Sequence, residues 1–280
     1  MKNNLKKYYG IFALPTTLAF AVVFLIPFIL GIYLSFCEFT TVSDSTFTGI
    51  ENYIRAFADS NFRNALWFTV KFTVVSVVSV NLIAFSLALL LTSKIRGRNF
   101  FRTVFFMPNL IGGIVLGYIW QLIINGVLSS LGVTITYDPS YGFWGLVVLM
   151  NWQMIGYMMI IYIAGIGNIP KDLIDAAKVD GAGAAGILRH VIIPMVMPSV
   201  TICLFLTITN AFKLFDANLA LTDGAPSRQT AMLALDIYKT FYGAVGSQGT
   251  GQAKAVVFFL LLAVISLIQL RFTRKREVEA

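Results

Sequence analysis

The sequence predicts an all-α fold, a polytopic membrane bundle of about six transmembrane helices with a helical loop on its cytoplasmic side. The composition is the first reason, since 58% of the 280 residues are hydrophobic and 12% are charged, whereas soluble domains average about 45–50% and about 25%. A soluble core cannot bury so much apolar surface, but a lipid bilayer accepts it. The second reason is a series of long apolar runs, and the third is the distribution of the basic residues.

Six apolar runs are long enough, or nearly so, to cross a bilayer, which takes about 20 residues in a helix. The sixth run is short unless its helix begins before Lys254. The two longest outer loops are expected at about 38–64 and 215–252. Lys213 and Asp216 are expected near the outer end of the fifth span. The six runs lie at about residues 9–37, 65–92, 101–124, 143–167, 191–212 and 255–270.

The basic residues set the predicted orientation, because segments rich in Lys and Arg stay on the cytoplasmic side. Placing the N-terminus inside puts most of the 21 basic residues at the inner side of the spans, and an even number of spans then places the C-terminus inside as well. We therefore expect a multi-pass protein of the cell (inner or cytoplasmic) membrane with both termini in the cytoplasm. The lipid bilayer explains the net charge of +8, and no nucleic acid partner is expected.

The chain shows no insertion that would form a separate soluble domain. We predict that residues 1–280 form one transmembrane domain, with its core at 65–272 and a cytoplasmic loop at 168–194. The two cysteines, Cys37 and Cys203, lie far apart in apolar stretches, and there is no CxxC pair. Neither a disulfide framework nor a metal site is expected from this spacing.

The loop between the fourth and fifth spans has the pattern of two short helices. Pro170 suits a first helical turn, and Asn168 or a neighbour can cap it. Asp172 then lies in the first turn, where the helix dipole favours a negative charge, and Gly181 can end the helix in a left-handed conformation. A second helical run follows at 182–190. This loop is too polar for lipid and too apolar for water, so we expect it to dock against another protein.

Residues 175–182 of this loop (DAAKVDGA), followed by Ile193 and Pro194, resemble the EAA loop of permease subunits of ABC importers. The resemblance is greatest to the carbohydrate-uptake branch, typified by the maltose and glycerol-phosphate systems, and it extends over nearly the whole chain. Asp175 stands where this family usually has Glu, and Leu188 stands where Phe is frequent. Further matching stretches are 47–53 (FTGIENY), 96–102 (RGRNFFR), 106–108 (FMP), 117–120 (GYIW), 215–216 (FD) and 221–226 (LTDGAP).

The resemblance implies the fold of a type I importer transmembrane domain, in which the loop forms a coupling helix that lies in a cleft of a cytoplasmic ATPase. It also implies that a carbohydrate (a sugar, oligosaccharide or related polyol) enters the cell by ATP-driven alternating access. The implied partners are a second homologous permease subunit, two cytoplasmic ATPase subunits and an extracytoplasmic solute-binding protein. The residues implied to dock on the ATPase are Asp175, Ala176, Ala177, Asp180, Gly181 and Ala182.

The chain itself lacks the sequence patterns of a nucleotide-binding enzyme. Residues 181–186 match G-x-G-x-x-G, but a charged helix precedes them and an apolar span follows, unlike the context of a dinucleotide site. There is no G-x-x-x-x-G-K-[ST] motif, so ATP is expected to be bound by the partner subunits. A single histidine, His190, cannot supply the side-chain cluster of a membrane-embedded enzyme. We therefore expect a non-catalytic permease subunit with no cofactor of its own.

Neutral polar and aromatic side chains occur inside the spans, where amides can hydrogen-bond a sugar and aromatic rings can stack on it. The alternative is that these side chains form hydrogen bonds between helices. Gly113 and Gly117 form a G-x-x-x-G pair, which can allow close helix packing. The predicted pathway residues are Asn81, Trp120, Gln121, Asn151, Gln153 and Asn210.

The alternative function is an ion-coupled secondary transporter without an ATPase partner. Such a protein is expected to carry ionisable groups in the middle of the membrane and to contain inverted repeats. The sequence indicates neither feature, which favours a partner as the source of energy.

Overall fold

A computed structural model describes residues 10, 13–93, 95–275 and 277, and it is predominantly helical there. One short antiparallel pair joins β1 (Cys37–Glu38) to β2 (Thr46–Phe47), with Cys37 opposite Phe47. The helices are α1 (Ala13–Leu34), α2 (Glu51–Ala58), α3 (Ser60–Thr92), α4 (Arg98–Phe106), α5 (Gly113–Leu128), α6 (Pro139–Gly167), α7 (Lys171–Val179), α8 (Ala184–Met195), α9 (Met197–Phe212), α10 (Asp216–Leu221), α11 (Leu233–Phe241) and α12 (Gln248–Arg274).

The membrane-spanning helices match the predicted fold class. Among the described residues, α1, α3, α5, α6 and α12 are long and apolar enough to cross a membrane, and α8 with α9 can form a sixth span that is bent by 68°. Helix α3 has 33 residues, so at 1.5 Å per residue it extends about 50 Å. That length exceeds the roughly 30 Å of a bilayer's hydrocarbon core. The all-α membrane bundle is therefore confirmed.

The predicted third span at 101–124 differs from the structure. Helix α4 ends at Phe106, a 3₁₀ turn covers Met107–Leu110, and α5 begins only at Gly113. Pro108 lacks a backbone N–H for a continuous helix, and Gly112 has an extended conformation with ψ 140°. The run of apolar residues is continuous in sequence, but the helix is not.

The sixth span begins before Lys254, as expected because the run at 255–270 alone is too short to cross a bilayer. Helix α12 starts at Gln248, and the Lys254 side chain is completely buried. Its Nζ atom lies 2.6 Å from Oδ2 of Asp59 and 2.7 Å from Oγ1 of Thr240. The Asp59 carboxylate compensates its charge and the Thr240 hydroxyl accepts a hydrogen bond. Lys254 can therefore lie inside a helix, although hydropathy alone predicted the end of a span there.

The described residues fall into two units. One contains residues up to Phe62 together with Ile237–Phe259, and the other contains Arg63–Asp236 together with the residues from Leu260 onward. The second unit has a core of buried side chains drawn mainly from α3 and α6. Large members of this core are Phe72, Leu116, Leu146, Met150, Met158 and Tyr162.

The segment predicted as a long outer loop, 215–252, contains α10 and α11. The turn after α10 is held by the buried Asn218 side chain, whose amide donates to the Thr230 carbonyl at 2.9 Å and whose oxygen accepts from the Met232 amide at 2.9 Å. Hydropathy did not indicate these helices because both are too short to cross a membrane.

Candidate transport site

A cavity of about 480 Å³ lies where the helical path of the second unit is interrupted twice. One interruption separates α4 from α5, and the other separates α9, which ends at Phe212, from α10, which begins at Asp216. Both face the middle of α6. The cavity is lined by Asn109, Gly113, Met150, Gln153, Met154, Asn210, Lys213, Leu214, Phe215, Asp216 and Ala217.

The two glycines of the G-x-x-x-G pair bring the interrupted helices together. A Cβ atom on Gly117 would lie 2.6 Å from the Cβ of Ala220, and one on Gly113 would lie 2.8 Å from the Cβ of Asp216. Larger residues at these positions would therefore push α10 away from α5. The glycine pair therefore allows α5 and α10 to pack closely against each other.

The cavity carries amide groups from three different segments. The Gln153 amide nitrogen donates to the Ile111 carbonyl at 3.3 Å, which lies in the first interruption. The Asn210 amide nitrogen donates to the Leu206 carbonyl at 2.8 Å, within its own helix. The Asn109 amide nitrogen lies 3.9 Å from the Met154 sulfur. Amides on a partly open cavity can exchange such contacts for hydrogen bonds to a hydroxyl-rich solute.

Lys213 and Asp216 line the cavity, a location that the sequence did not predict. Both are exposed side chains that line the same cavity as Gln153, which is near the middle of the 29-residue helix α6. Both follow the end of α9 at Phe212, in agreement with the predicted position near the end of the fifth span, and the chain then continues through α10. Ionisable groups thus do occur at the level of the cavity, where interrupted helices in transporters place their binding sites.

The structure brings Gln153 and Asn210 to the cavity, whereas Asn81 and Asn151 make contacts between helices. The Tyr162 hydroxyl donates to the Asn81 side-chain oxygen at 2.7 Å, and the Asn81 amide donates to Thr207 at 3.2 Å. The Asn151 amide donates to Ser79 at 2.9 Å. These hydrogen bonds connect α3, α6 and α9 and agree with the interhelical alternative.

Gln121 and Trp120 also lie outside the cavity lining. The Gln121 amide donates to the Leu221 carbonyl at 3.0 Å, at the end of α10. The Trp120 ring packs edge-on against Trp152, with ring centroids 5.7 Å apart. A role for these two residues in the pathway remains a prediction.

Sequence reasoning missed three polar residues of the cavity, Asn109, Lys213 and Asp216. A signal for Asn109 was present, because it follows Pro108 and precedes a Gly-Gly pair, a pattern that interrupts a transmembrane helix. Interrupted apolar segments are the best sequence indication of a transporter's binding site.

The loop after α6 contains the two predicted helices, with a different cap. Asn168 ends α6 as its C-cap, and Pro170 precedes the first residue of α7 without a side-chain cap. The expectation that Asn168 or a neighbour caps α7 was therefore wrong, since Asn168 closes the preceding helix and no side chain caps α7. Gly181 has φ +79°, as predicted, and the Ala182 amide donates to the Ala177 carbonyl at 2.9 Å.

Helix α7 presents a polar and apolar surface to its surroundings. Val179 is 88% exposed, and Leu173 is exposed as well. The Lys178 Nζ atom lies 2.8 Å from the Asp175 carboxylate, and this hydrogen bond and charge lower the pKa of Asp175 from its usual range. Of the predicted docking residues, Asp175, Ala176, Asp180 and Gly181 are exposed, while Ala177 and Ala182 are half-buried.

A multi-pass bundle with a polar cavity between interrupted helices belongs to the class of membrane solute permeases. The chain is a member of the family of binding-protein-dependent transport system inner membrane components, whose family model matches residues 81–278. Over 287 residues it is 47% identical to a probable starch degradation products transport system permease protein of Thermoanaerobacterium thermosulfurigenes, covering 99% of this chain and 97% of that protein. The chain is therefore a multi-pass protein of the cell membrane.

Two more distant relatives match most of the chain. A multiple sugar-binding transport system permease protein of Streptococcus mutans is 28% identical over 99% of both chains. An sn-glycerol-3-phosphate transport system permease protein of Agrobacterium fabrum is 28% identical over 83% of this chain and 82% of that protein.

Two solved structures share the fold. A bacterial ABC transporter involved in the import of the acidic polysaccharide alginate gives a TM-score of 0.82 at 19% identity, over 98% of each chain. The alginate ABC transporter in complex with a pentasaccharide-bound periplasmic protein gives 0.75 at 20% identity, over 98% of this chain and 95% of that one. The type I importer transmembrane fold is thereby confirmed.

Proposed function

We propose that this chain is the transmembrane permease subunit of an ABC importer that carries a carbohydrate into the cell by ATP-driven alternating access. ATP would be bound and hydrolysed by two cytoplasmic ATPase subunits, so this subunit needs no cofactor or catalytic residue. A second homologous permease would complete the pathway, and an extracytoplasmic solute-binding protein would deliver the carbohydrate. One observation carries the proposal: the exposed loop directly connects the two helices whose amides line the cavity.

The connection runs through helices, since the loop continues from α6 and leads through α8 into α9. Gln153 lies 14 residues before Gly167, where α6 ends, and Asn210 lies 13 residues after Met197, where α9 begins. At 1.5 Å per residue, each distance corresponds to about 20 Å of helix, which is about two-thirds of the roughly 30 Å hydrocarbon core of a bilayer. A movement of α7 would therefore be transmitted to both sides of the cavity, which supports alternating access.

The contacts of α7 favour the role of a coupling helix. Its partly buried Ile174 packs on the core of the second unit, while Asp175 and Val179 are exposed. A partner bound to the exposed surface of α7 can thus move the core through Ile174 on the opposite surface of the helix. We propose that Asp175, Ala176, Ala177, Asp180, Gly181 and Ala182 form the ATPase-docking surface.

The chemistry of the cavity supports a carbohydrate as the solute. Three amides together with one ammonium and one carboxylate offer donors and acceptors to a ligand with many hydroxyl groups. The relatives named for starch degradation products, multiple sugars and sn-glycerol-3-phosphate carry solutes of this chemistry. Sugars, oligosaccharides and related polyols are all compatible with it.

The orientation is part of the proposal. The docking loop and both termini would lie in the cytoplasm, since the basic residues concentrate at that side. The likeness to a permease solved with a periplasmic binding protein supports delivery of the solute from the opposite side. Residues 1–280 would act as a single transmembrane permease domain.

Uptake in proteoliposomes tests the proposal. Gln153→Ala and Asn210→Ala are expected to lower ATP-driven carbohydrate uptake and solute-stimulated ATP hydrolysis, because each removes an amide from the cavity. Asn99→Ala is the matched control, since Asn99 is an exposed amide in α4 that does not line the cavity.

Two results would contradict the proposal. If both cavity variants transported like the control, the cavity would not be the pathway. If uptake continued without ATP and followed an ion gradient, the chain would be an ion-coupled secondary transporter, a possibility for which Lys213 and Asp216 provide ionisable groups.

A further inference from the structure

Helix α2 has three faces of different chemistry. Ile50, which precedes the helix, lies on the same face as Ile54 and Phe57, and these three side chains are 65%, 61% and 51% exposed. A second face carries Glu51 and Arg55, which form an exposed ion pair. At about 100° per residue, the two faces are separated by roughly 120°.

The third face of α2 is fixed to the ends of two membrane spans. The Asn52 amide is buried and donates to the carbonyls of Ser35 and Cys37 at 3.1 and 2.8 Å. Thr250 donates to the Asn52 side-chain oxygen at 3.4 Å. Ser35 directly follows the last residue of α1, and Thr250 lies in the first turn of α12. Helix α2 is therefore at the level where these two spans end.

Two further contacts prevent α2 from rolling about its axis. A Cβ atom on Gly249 would lie 2.6 Å from the Asn52 amide nitrogen, so the glycine leaves the space that Asn52 occupies. At the other end, Asp59 follows α2 directly and forms a 2.6 Å ion pair with the buried Lys254. With both ends fixed, the directions of the other two faces are set.

We propose that α2 lies in the plane of the membrane surface, with Ile50, Ile54 and Phe57 inserted among the lipid headgroups and upper acyl chains. The geometry separates the surroundings into three: the protein binds the Asn52 face, water solvates the Glu51–Arg55 pair, and lipid covers the apolar face. This partition is the one that interfacial amphipathic helices adopt. Helix α1, next to whose end Asn52 is bound, is itself apolar and exposed along almost its whole length.

The proposal gives α2 a mechanical role that does not depend on which solute is carried. Because α2 is fixed to α1 and α12, its depth in the interface sets the depth of the ends of both spans. The helix would hold this unit at a constant level in the membrane during the transport cycle.

Spin labels at two adjacent positions test the proposal. The variants Ile54→Cys and Arg55→Cys of the full-length chain carry a nitroxide and are reconstituted into phosphatidylethanolamine–phosphatidylglycerol vesicles. Cys37 and Cys203 are buried, so the introduced thiols are the accessible ones among the described residues. Collision rates with oxygen, which concentrates in lipid, and with a water-soluble nickel chelate are then measured. We expect a higher oxygen-to-nickel ratio at Ile54→Cys than at Arg55→Cys.

A label at Ile50, on the same face of α2, controls for a local disturbance caused by the label at Ile54. Ile50→Cys should give the same high oxygen-to-nickel ratio as Ile54→Cys. Equal access of the nickel chelate at positions 54 and 55 would place the apolar face in water and overturn the proposal. Exclusion of both reagents from position 54 would show that a protein surface covers it, which would overturn the proposal as well.

Discussion

Replacing Gly181 by alanine tests how the docking loop is built. Gly181 has φ +79°, and a Cβ atom added there would meet no atom within 4 Å. The cost of Gly181→Ala therefore comes from the backbone alone, because a left-handed conformation costs an L-residue about 1–2 kcal/mol. A free-energy change of this size corresponds to a factor of about 5–30 in an equilibrium constant. We expect Gly181→Ala to lower the equilibrium constant for the docking conformation of the loop by that factor.

Gly183→Ala provides the matched control two residues away. Gly183 has φ −72° and ψ 172°, and a Cβ atom there also meets nothing within 4 Å. Alanine adopts this extended conformation without strain, so the control should leave the loop unchanged. Gly181→Asn should retain most of the wild-type behaviour, because asparagine tolerates the left-handed region better than alanine does.

The assay is titration of the ATPase subunit onto the permease in nanodiscs. We expect the affinity to fall about 5–30-fold for Gly181→Ala, and to remain at the wild-type value for Gly183→Ala. The same loss at both positions would mean that the surface tolerates no methyl group and that backbone conformation is irrelevant. No loss at Gly181 would refute the reasoning.

Three further predictions concern packing and charge. Gly117→Val should overlap α10 and lower the free energy of unfolding by about 1–3 kcal/mol, whereas Gly126→Val in the same helix has open space; thermal unfolding in detergent compares them, and equal losses would contradict the packing. Lys254→Met removes an ion pair whose Asp59 partner is 29% exposed to water and should cost about 1–3 kcal/mol in the same measurement, so an unchanged melting temperature would contradict its structural role. Lys178→Met should raise the lowered pKa of Asp175. The carboxylate then gains its proton at a higher pH, and ATPase binding should weaken earlier on acidification than in the wild type; identical pH profiles would count against this ion pair.

The sequence was sufficient to predict the elements that depend on local chemistry. Apolar runs predicted where the spans lie, apart from the start of the third, because burial in lipid requires little more than length and hydropathy. Gly181 predicted the end of α7, since few residues other than glycine adopt positive φ without strain.

The elements that the sequence did not reveal depend on contacts between distant residues. The start of α12 required knowing that Asp59 compensates Lys254 across 195 positions. The place of Asp216 in the cavity lining required knowing that α10 packs on Gly113 and Gly117. Hydropathy is averaged over many residues, so the single Pro108 in the 3₁₀ turn did not interrupt the apolar run, and the average could not separate α4 from α5.

The six pathway residues show the same limit. Side-chain type alone gives no distinction between an amide that faces a cavity, such as Gln153, and one that joins helices, such as Asn81. Both are polar residues inside apolar spans, and only the packing of α3, α6 and α9 separates them.

The reactivity of a cysteine at position 179 tests most directly whether the loop after α6 couples a cytoplasmic ATPase to the cavity. Val179 is 88% exposed, so Val179→Cys should react with a membrane-impermeant maleimide in inside-out vesicles that contain the permease alone. Assembly with the ATPase should protect it. Reaction from the outside of intact cells, or equal reaction with and without the ATPase, would contradict the proposed coupling.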